Sequence, residues 1–89
     1  MDAETILNSL INELAAIEHE RWSHWQRYMH SKGVRQADGS LVLPAELVKR
    51  WERQAATAYG DLTDKEQESD REQVNRYLPI IAAALNARP

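Results

Sequence analysis

The stretch Ile17-Glu18-His19-Glu20-Arg21-Trp22-Ser23-His24-Trp25-Gln26-Arg27-Tyr28-Met29 decides how the chain is read. It closes an apolar series, Ile6, Leu7, Leu10, Ile11, Leu14 and Ile17, spaced by threes and fours as on a helix with one buried face. Asp2 stands ahead of the series as a helix cap, with Glu4 in the first turn, where the macrodipole favours an acid. Nothing interrupts the pattern before Gly33, so the spacing predicts one long helix over residues 3–31. Gly33 suits the C′ position that ends it. The Ile6 to Leu14 stripe reads either as intramolecular core or, given the helix length, as a dimer seam.

Beyond that helix, Ser31 to Leu43 is the one sizeable loop, with a turn at Asp38-Gly39-Ser40. Leu41-Val42-Leu43 leans towards extended structure. It is too short to found a sheet and is expected to lie apolar side down on the helices. Pro44 fits the first turn of a second helix over 44–56, with Leu47, Val48, Trp51 and Ala55 buried. Lys49, Arg50 and Arg53 then face outward or towards a cleft. Thr63-Asp64-Lys65-Glu66 matches a capping box. A hydrophobic staple would pair Leu62 with position 67, which is Gln67, so the start of this helix must be fixed in another way. Val74, Tyr77, Leu78, Ile81 and Leu85 continue an apolar face. Pro79 removes an N–H from the helix, which predicts a kink or a restart. The expectation is an all-α fold, a small bundle of three main helices with the last kinked or split at Pro79. It forms a single domain over 1–89, with residues 1–14 extending the first helix.

A chain of 89 residues encloses one modest core. With a net charge of -3, a general nucleic-acid binder held by phosphate neutralisation is not expected. There is no cysteine, which excludes disulfides and thiolate metal sites. No apolar run reaches the roughly 20 residues of a membrane span, and Met1-Asp2-Ala3-Glu4 lacks the start of a secretory signal. A soluble, cytoplasmic protein is expected. His19-Glu20-Arg21-Trp22-Ser23-His24 narrowly misses the zinc-protease HExxH pattern; its histidines are five apart and diverge around the helix. No glycine-rich phosphate loop or nucleophile–base spacing is present. No catalysis, metal or cofactor is expected.

Three charged residues disobey the helical pattern. Glu18 falls in the apolar arc between Ile11 and Trp22, Arg21 between Leu14 and Ile17 on one side and Tyr28 on the other, and Asp70 beside Val74 and Tyr77. A lone buried charge costs several kcal/mol, so such groups pair, hydrogen-bond or face a wet cavity. One account is an internal Arg21–Asp70 or Arg21–Glu18 pair that sets helix register. The other is a polar cleft in which aromatic faces and a few charges hold a small molecule. Trp22, Trp25, Trp51 and Tyr59, each by itself a core residue, become stacking candidates in that company. The segment from Arg21 to Ala37 adds Arg27, Lys32, Arg35, His24 and His30 without an acid, either a phosphate-receiving end or a solvated surface.

Glu18-His19-xx-Trp22, followed by Tyr59-Gly60-Asp61-Leu62-xxx-Glu66-xxx-Asp70-Arg71, resembles the ryanodine-receptor (RyR) domain in its small stand-alone bacterial and phage form. The resemblance covers roughly residues 15 to 85. The family's Gly-Trp-x-Tyr-Gly loop is absent, with Ser31 to Leu43 in its place, and Gln67 stands where lysine is usual. The resemblance implies a nucleotide-like small molecule (cyclic nucleotide or ADP-ribose type) bound by tryptophan stacking. For phage members it implies a sponge that sequesters second messengers of bacterial defence. His19, Trp22, Tyr59, Asp70 and Arg71 are the matching family positions; Glu18, Arg21, Trp25 and Trp51 join them from periodicity. The expected partners are that small molecule and a second copy through the first helix, with no nucleic-acid polymer and no membrane. The alternative is a protein-interaction or oligomerisation module using the Ile6 to Leu14 face.

Overall fold

Asp2 caps the first helix through its carboxylate, which accepts the Thr5 N–H at 2.9 Å. The helix it starts is short. In the computed structural model, which describes residues 2–87, α1 covers Ala3–Asn8 and α2 resumes at Ile11–Lys32. Met1, Arg88 and Pro89, the ends of the expected 1–89 domain, lie outside the described residues. The expected single helix over 3–31 is therefore broken at Ser9 and Leu10, and the reason is local. The Ser9 hydroxyl donates to the Ile6 carbonyl at 2.5 Å, and the Leu10 N–H turns instead to Leu7 O at 3.0 Å. A serine that offers the backbone an alternative partner interrupts a helix in this way. Ile6 (5% exposed) and Leu10 (9%) sit at this elbow, the only buried hydrophobic residues among those described.

After α2 the chain forms a two-residue antiparallel ladder, β1 (Val34–Arg35) with β2 (Leu41–Val42), in register Val34↔Val42 and Arg35↔Leu41. The expectation that Leu41 to Leu43 founds no pairing is corrected: a compact turn brings the two stretches together. Gly39 takes φ +91°, and the Asp38 carboxylate accepts both the N–H and the hydroxyl of Ser40. Gly33 has φ -87°, so it ends α2 without the left-handed conformation expected of it. Its missing side chain serves the hairpin instead. A Cβ there would lie 3.2 Å from Leu41 Cδ2 and 3.4 Å from Leu43 Cδ2.

Helix α3 runs Ala45–Ala56 behind Pro44, and a 3₁₀ turn, Tyr59–Asp61, leads to α4, Asp64–Asn86. The Thr63–Glu66 capping box forms in both directions. Arg53 reaches from α3 to Glu66 at 2.7 Å. Gln67 supplies what a staple would have supplied. Its amide nitrogen lies 3.0 Å from Tyr59 O and 3.3 Å from both Gly60 O and Leu62 O, so the preceding turn is tied to the first turn of α4. Pro79 is accommodated inside α4, which continues to Asn86 without a split.

α2 and α4 lie antiparallel. Leu10 and Glu13 border a shallow groove with Pro79, Ile80, Ala83 and Ala84 at one end. Glu18 meets Tyr77 and Glu20 meets Arg76 in the middle, and Trp25 and Tyr28 stand across a cleft from Ser69 and Asp70 at the other end. The result is mostly helical and thin, 58 × 34 × 16 Å, with a radius of gyration of 17.9 Å. A compact chain of this length would have about 12 Å.

Candidate functional site

The main concavity, about 710 Å³, lies where the C-terminal half of α2, the body of α3 and the first two turns of α4 converge. Ligand clefts commonly measure roughly 300–1,000 Å³. Its position follows from the turn chemistry. The capping box, the Arg53–Glu66 bridge and Gln67 fix how α4 leaves α3, which leaves a gap opposite α2. One wall is aromatic. Trp25 and Trp51 meet edge to face with ring centroids 5.1 Å apart, and Tyr28 lies 5.7 Å from Trp25. Lys32 sits 5.4 Å from the centre of the Tyr28 ring, a cation–π contact that closes the end of that wall.

Arg50, Lys65, Glu66 and Asp70 provide the charge. Glu66 is already engaged: the Arg53 guanidinium and then the Thr63 N–H hold its carboxyl at about 2, against an ordinary 4.5. Among the described residues, Arg50, Lys65 and Asp70 form no ion pair, so two cations and one carboxylate remain available at the rim. The cleft thus offers ring faces, two positive groups and one acceptor within a single opening.

The nine residues singled out in the sequence fall into four groups. Trp25, Trp51 and Asp70 line the cleft together. Glu18 and Arg21 form a surface pair, with Nε and Nη2 of Arg21 each 2.8 Å from a Glu18 oxygen, and the Tyr77 hydroxyl donates to the same carboxylate at 2.9 Å. The Arg21 and Tyr77 hydrogen bonds hold Glu18 at about 2, and the carboxylate in turn keeps Arg21 firmly protonated. Tyr77 is pushed up by desolvation and by that carboxylate. Glu18 and Arg21 are thus half-exposed, which corrects the expectation that their charges point into the core; the Arg21–Glu18 pair forms and Arg21–Asp70 does not. His19 and Trp22 stack on each other at 6.0 Å, and Trp22 edges a second, shallower groove of about 540 Å³ with Arg27, His30 and Arg35. Tyr59 and Arg71 bond to each other at 3.0 Å beside the 3₁₀ turn.

Two further cleft residues had a partial signal in the sequence. Arg50 and Gln54 lie together to one side of Trp51 around α3, so a cleft at Trp51 implies them. Lys65 had none, because its position depends on how α3 hands over to α4. Among the described residues, no three His, Cys, Asp or Glu side chains converge to hold a metal ion, and no helix is long and apolar enough to cross a membrane. Comparison of the chain with protein-family models, with curated proteins and with solved structures returns no match.

Proposed function

We propose that the chain is a non-catalytic binding module for a nucleotide-derived ligand of the cyclic-nucleotide or ADP-ribose type, which it holds and so sequesters. The observation that carries this reading is the cleft in which Trp25, Trp51 and Tyr28 face Arg50, Lys65 and Asp70, which form no ion pair among the described residues. A planar base stacks on tryptophan at roughly 1–3 kcal/mol per base. Arg50 and Lys65 suit phosphate oxygens, Arg50 in bidentate fashion. Asp70 suits a ribose hydroxyl or a base N–H. Support for holding over turnover is that the Thr63 hydroxyl is occupied by the Glu66 N–H, while the Ser23–His19 contact, at 3.4 Å, lies outside the cleft.

Isothermal titration against a panel of cyclic dinucleotides and ADP-ribose tests the reading, with Trp51→Ala, Arg50→Ala and Trp22→Ala alongside the parent. Binding is expected for at least one ligand, weakened tenfold or more by the first two changes and little altered by the third. A ligand at about 100 times its Kd adds about 2.7 kcal/mol to stability, so a thermal shift on the order of 10 °C accompanies it. No heat and no shift with any of the panel overturns the proposal. Loss of binding in Trp22→Ala alone would move the site to the outer groove. Recovery of the ligand unchanged by mass spectrometry after overnight incubation is expected; its conversion would make the module an enzyme.

A further inference from the structure

We infer that a second copy of this chain docks on the side of the α2/α4 pair that carries Glu18 and Tyr77, making an isologous dimer. Two contacts fix the sides of this pair. Glu18 reaches Tyr77 across one side of the seam, and Glu20 reaches Arg76 across the other. Helical residues advance about 100° each, so Ile11 and Trp22 lie within about 40° of Glu18 around α2. Val74 and Leu78 lie within about 100° of Tyr77 around α4 by the same geometry. Ile11, Trp22 and Val74 therefore look out from the Glu18–Tyr77 side, and Leu78 from its outer edge. They are 64%, 57%, 50% and 51% exposed respectively, large apolar side chains that this chain leaves uncovered.

The occupant is argued from area, shape and charge. The surface measures 7042 Å², whereas a compact monomer of 10.2 kDa exposes about 5,300 Å². The excess is about 1,700 Å² per chain by that scaling. Burying half of it in each of two copies gives about 1,700 Å² in total, a standard stable interface, and burying all of it reaches the range of obligate homodimers. The slab is only 16 Å thick, so two slabs face to face make the two-layer packing that a helical domain ordinarily has within one chain. On this face the carboxylate of Glu18 is neutralised within its own chain by Arg21 and hydrogen-bonded by the Tyr77 hydroxyl. At that point the two-fold related carboxylates would meet already compensated. Of the stripe expected from the sequence as core or seam, Ile11 lies on this face, whereas Ile6 and Leu10 are consumed at the elbow.

Sedimentation velocity of the full chain from about 1 to 100 µM tests the inference, with Val74→Asp and Leu78→Glu on the face and Val34→Glu as an exposed control elsewhere. The parent and Val34→Glu are expected to sediment as dimers, and each face variant to raise the dissociation constant at least a hundredfold. Hydroxyl-radical footprinting of the unmodified chain covers the case in which a face variant fails to fold. Protection of Trp22, Val74 and Leu78 should rise together with concentration while Val34 stays constant. A folded parent that remains monomeric throughout gives the face to some other occupant and overturns the inference. So does a dimer that tolerates both face variants, or one whose protected residues lie elsewhere.

Discussion

Replacing Gln67 by alanine removes the device that sets the start of α4, and its effect can be worked from the geometry. The amide nitrogen carries two hydrogens and serves three carbonyls, at 3.0, 3.3 and 3.3 Å, so two good bonds and one shared contact are lost. A neutral hydrogen bond contributes about 0.5–1.5 kcal/mol net. Tyr59 and Gly60 are exposed and their carbonyls regain water, whereas the bond to Leu62 O is partly buried. The expected loss is therefore about 2 kcal/mol, the middle of the range for two such bonds. In a domain of this size that lowers Tm by roughly 8–16 °C. Gln67→Leu separates the hydrogen bonds from the anchoring they provide, because leucine at this position can staple against Leu62. It should recover part of the loss and leave Tm between those of Gln67→Ala and the parent. Circular-dichroism melts and urea titrations at one fixed protein concentration read all three. A Gln67→Ala variant within about 0.3 kcal/mol of the parent, well below the value of a single bond, would refute the reasoning and leave the capping box and the Arg53 bridge as sufficient.

The carboxyls of Glu18 and Glu66 are both held at about 2 against an ordinary 4.5. The folded chain thus binds those protons more weakly than the unfolded one, and the stabilisation is full above about pH 4.5 and lost as the pH falls towards 2. Tm should fall across that window, and less steeply in Glu66→Gln; a flat profile between pH 5 and 2 would contradict it. Gly33→Ala should cost about 1 kcal/mol through the Leu41 contact, while Gly60→Ala, with open space around its Cβ, should be neutral or gain about 0.4–1 kcal/mol. Chemical denaturation compares the two, and equal effects would remove the steric account of Gly33. Leu10→Ala at the elbow should cost about 2 kcal/mol, the low end for such a change, because the neighbouring groove is already open. A loss above 4 kcal/mol in urea denaturation would mean that the elbow is closed in solution.

What could be read from the sequence was whatever depends on neighbours three or four residues away. The Asp2 cap, the Thr63–Glu66 box and the Asp38-Gly39-Ser40 turn each form as read, because each is complete within one turn of chain. The break at Ser9 was missed because the apolar spacing runs straight through it. Periodicity records which side of a helix is apolar, and not whether a hydroxyl diverts one hydrogen bond. Of the two outcomes expected at Pro79, a kink or a restart, the restart does not occur: a proline removes one N–H, and the turns on either side carry the helix past it. Trp25, Trp51 and Asp70 were found as cleft residues through chemistry out of place on a helical face. Tyr59 and Arg71 share that chemistry but spend it on each other.

The charges on the apolar stripe illustrate where such reading stops. The spacing places Glu18 and Arg21 in a buried arc, because their neighbours around the helix are Ile11, Trp22 and Leu14. That step assumes that an apolar arc is a covered arc. In this fold α4 covers only part of the arc of α2, and Ile11 and Trp22 stand exposed on either side of Glu18 along the helix. The half-exposed pair therefore carries only a small desolvation penalty in the single chain, and its bidentate geometry leaves little unsatisfied charge. Burial of such a pair becomes tolerable when every lone pair is already engaged. Arg21 and Tyr77 supply three hydrogen bonds of 2.9 Å or less to the two Glu18 oxygens. In the dimer inferred above, a polar cluster finished within one chain would let the surrounding apolar residues be covered without breaking it.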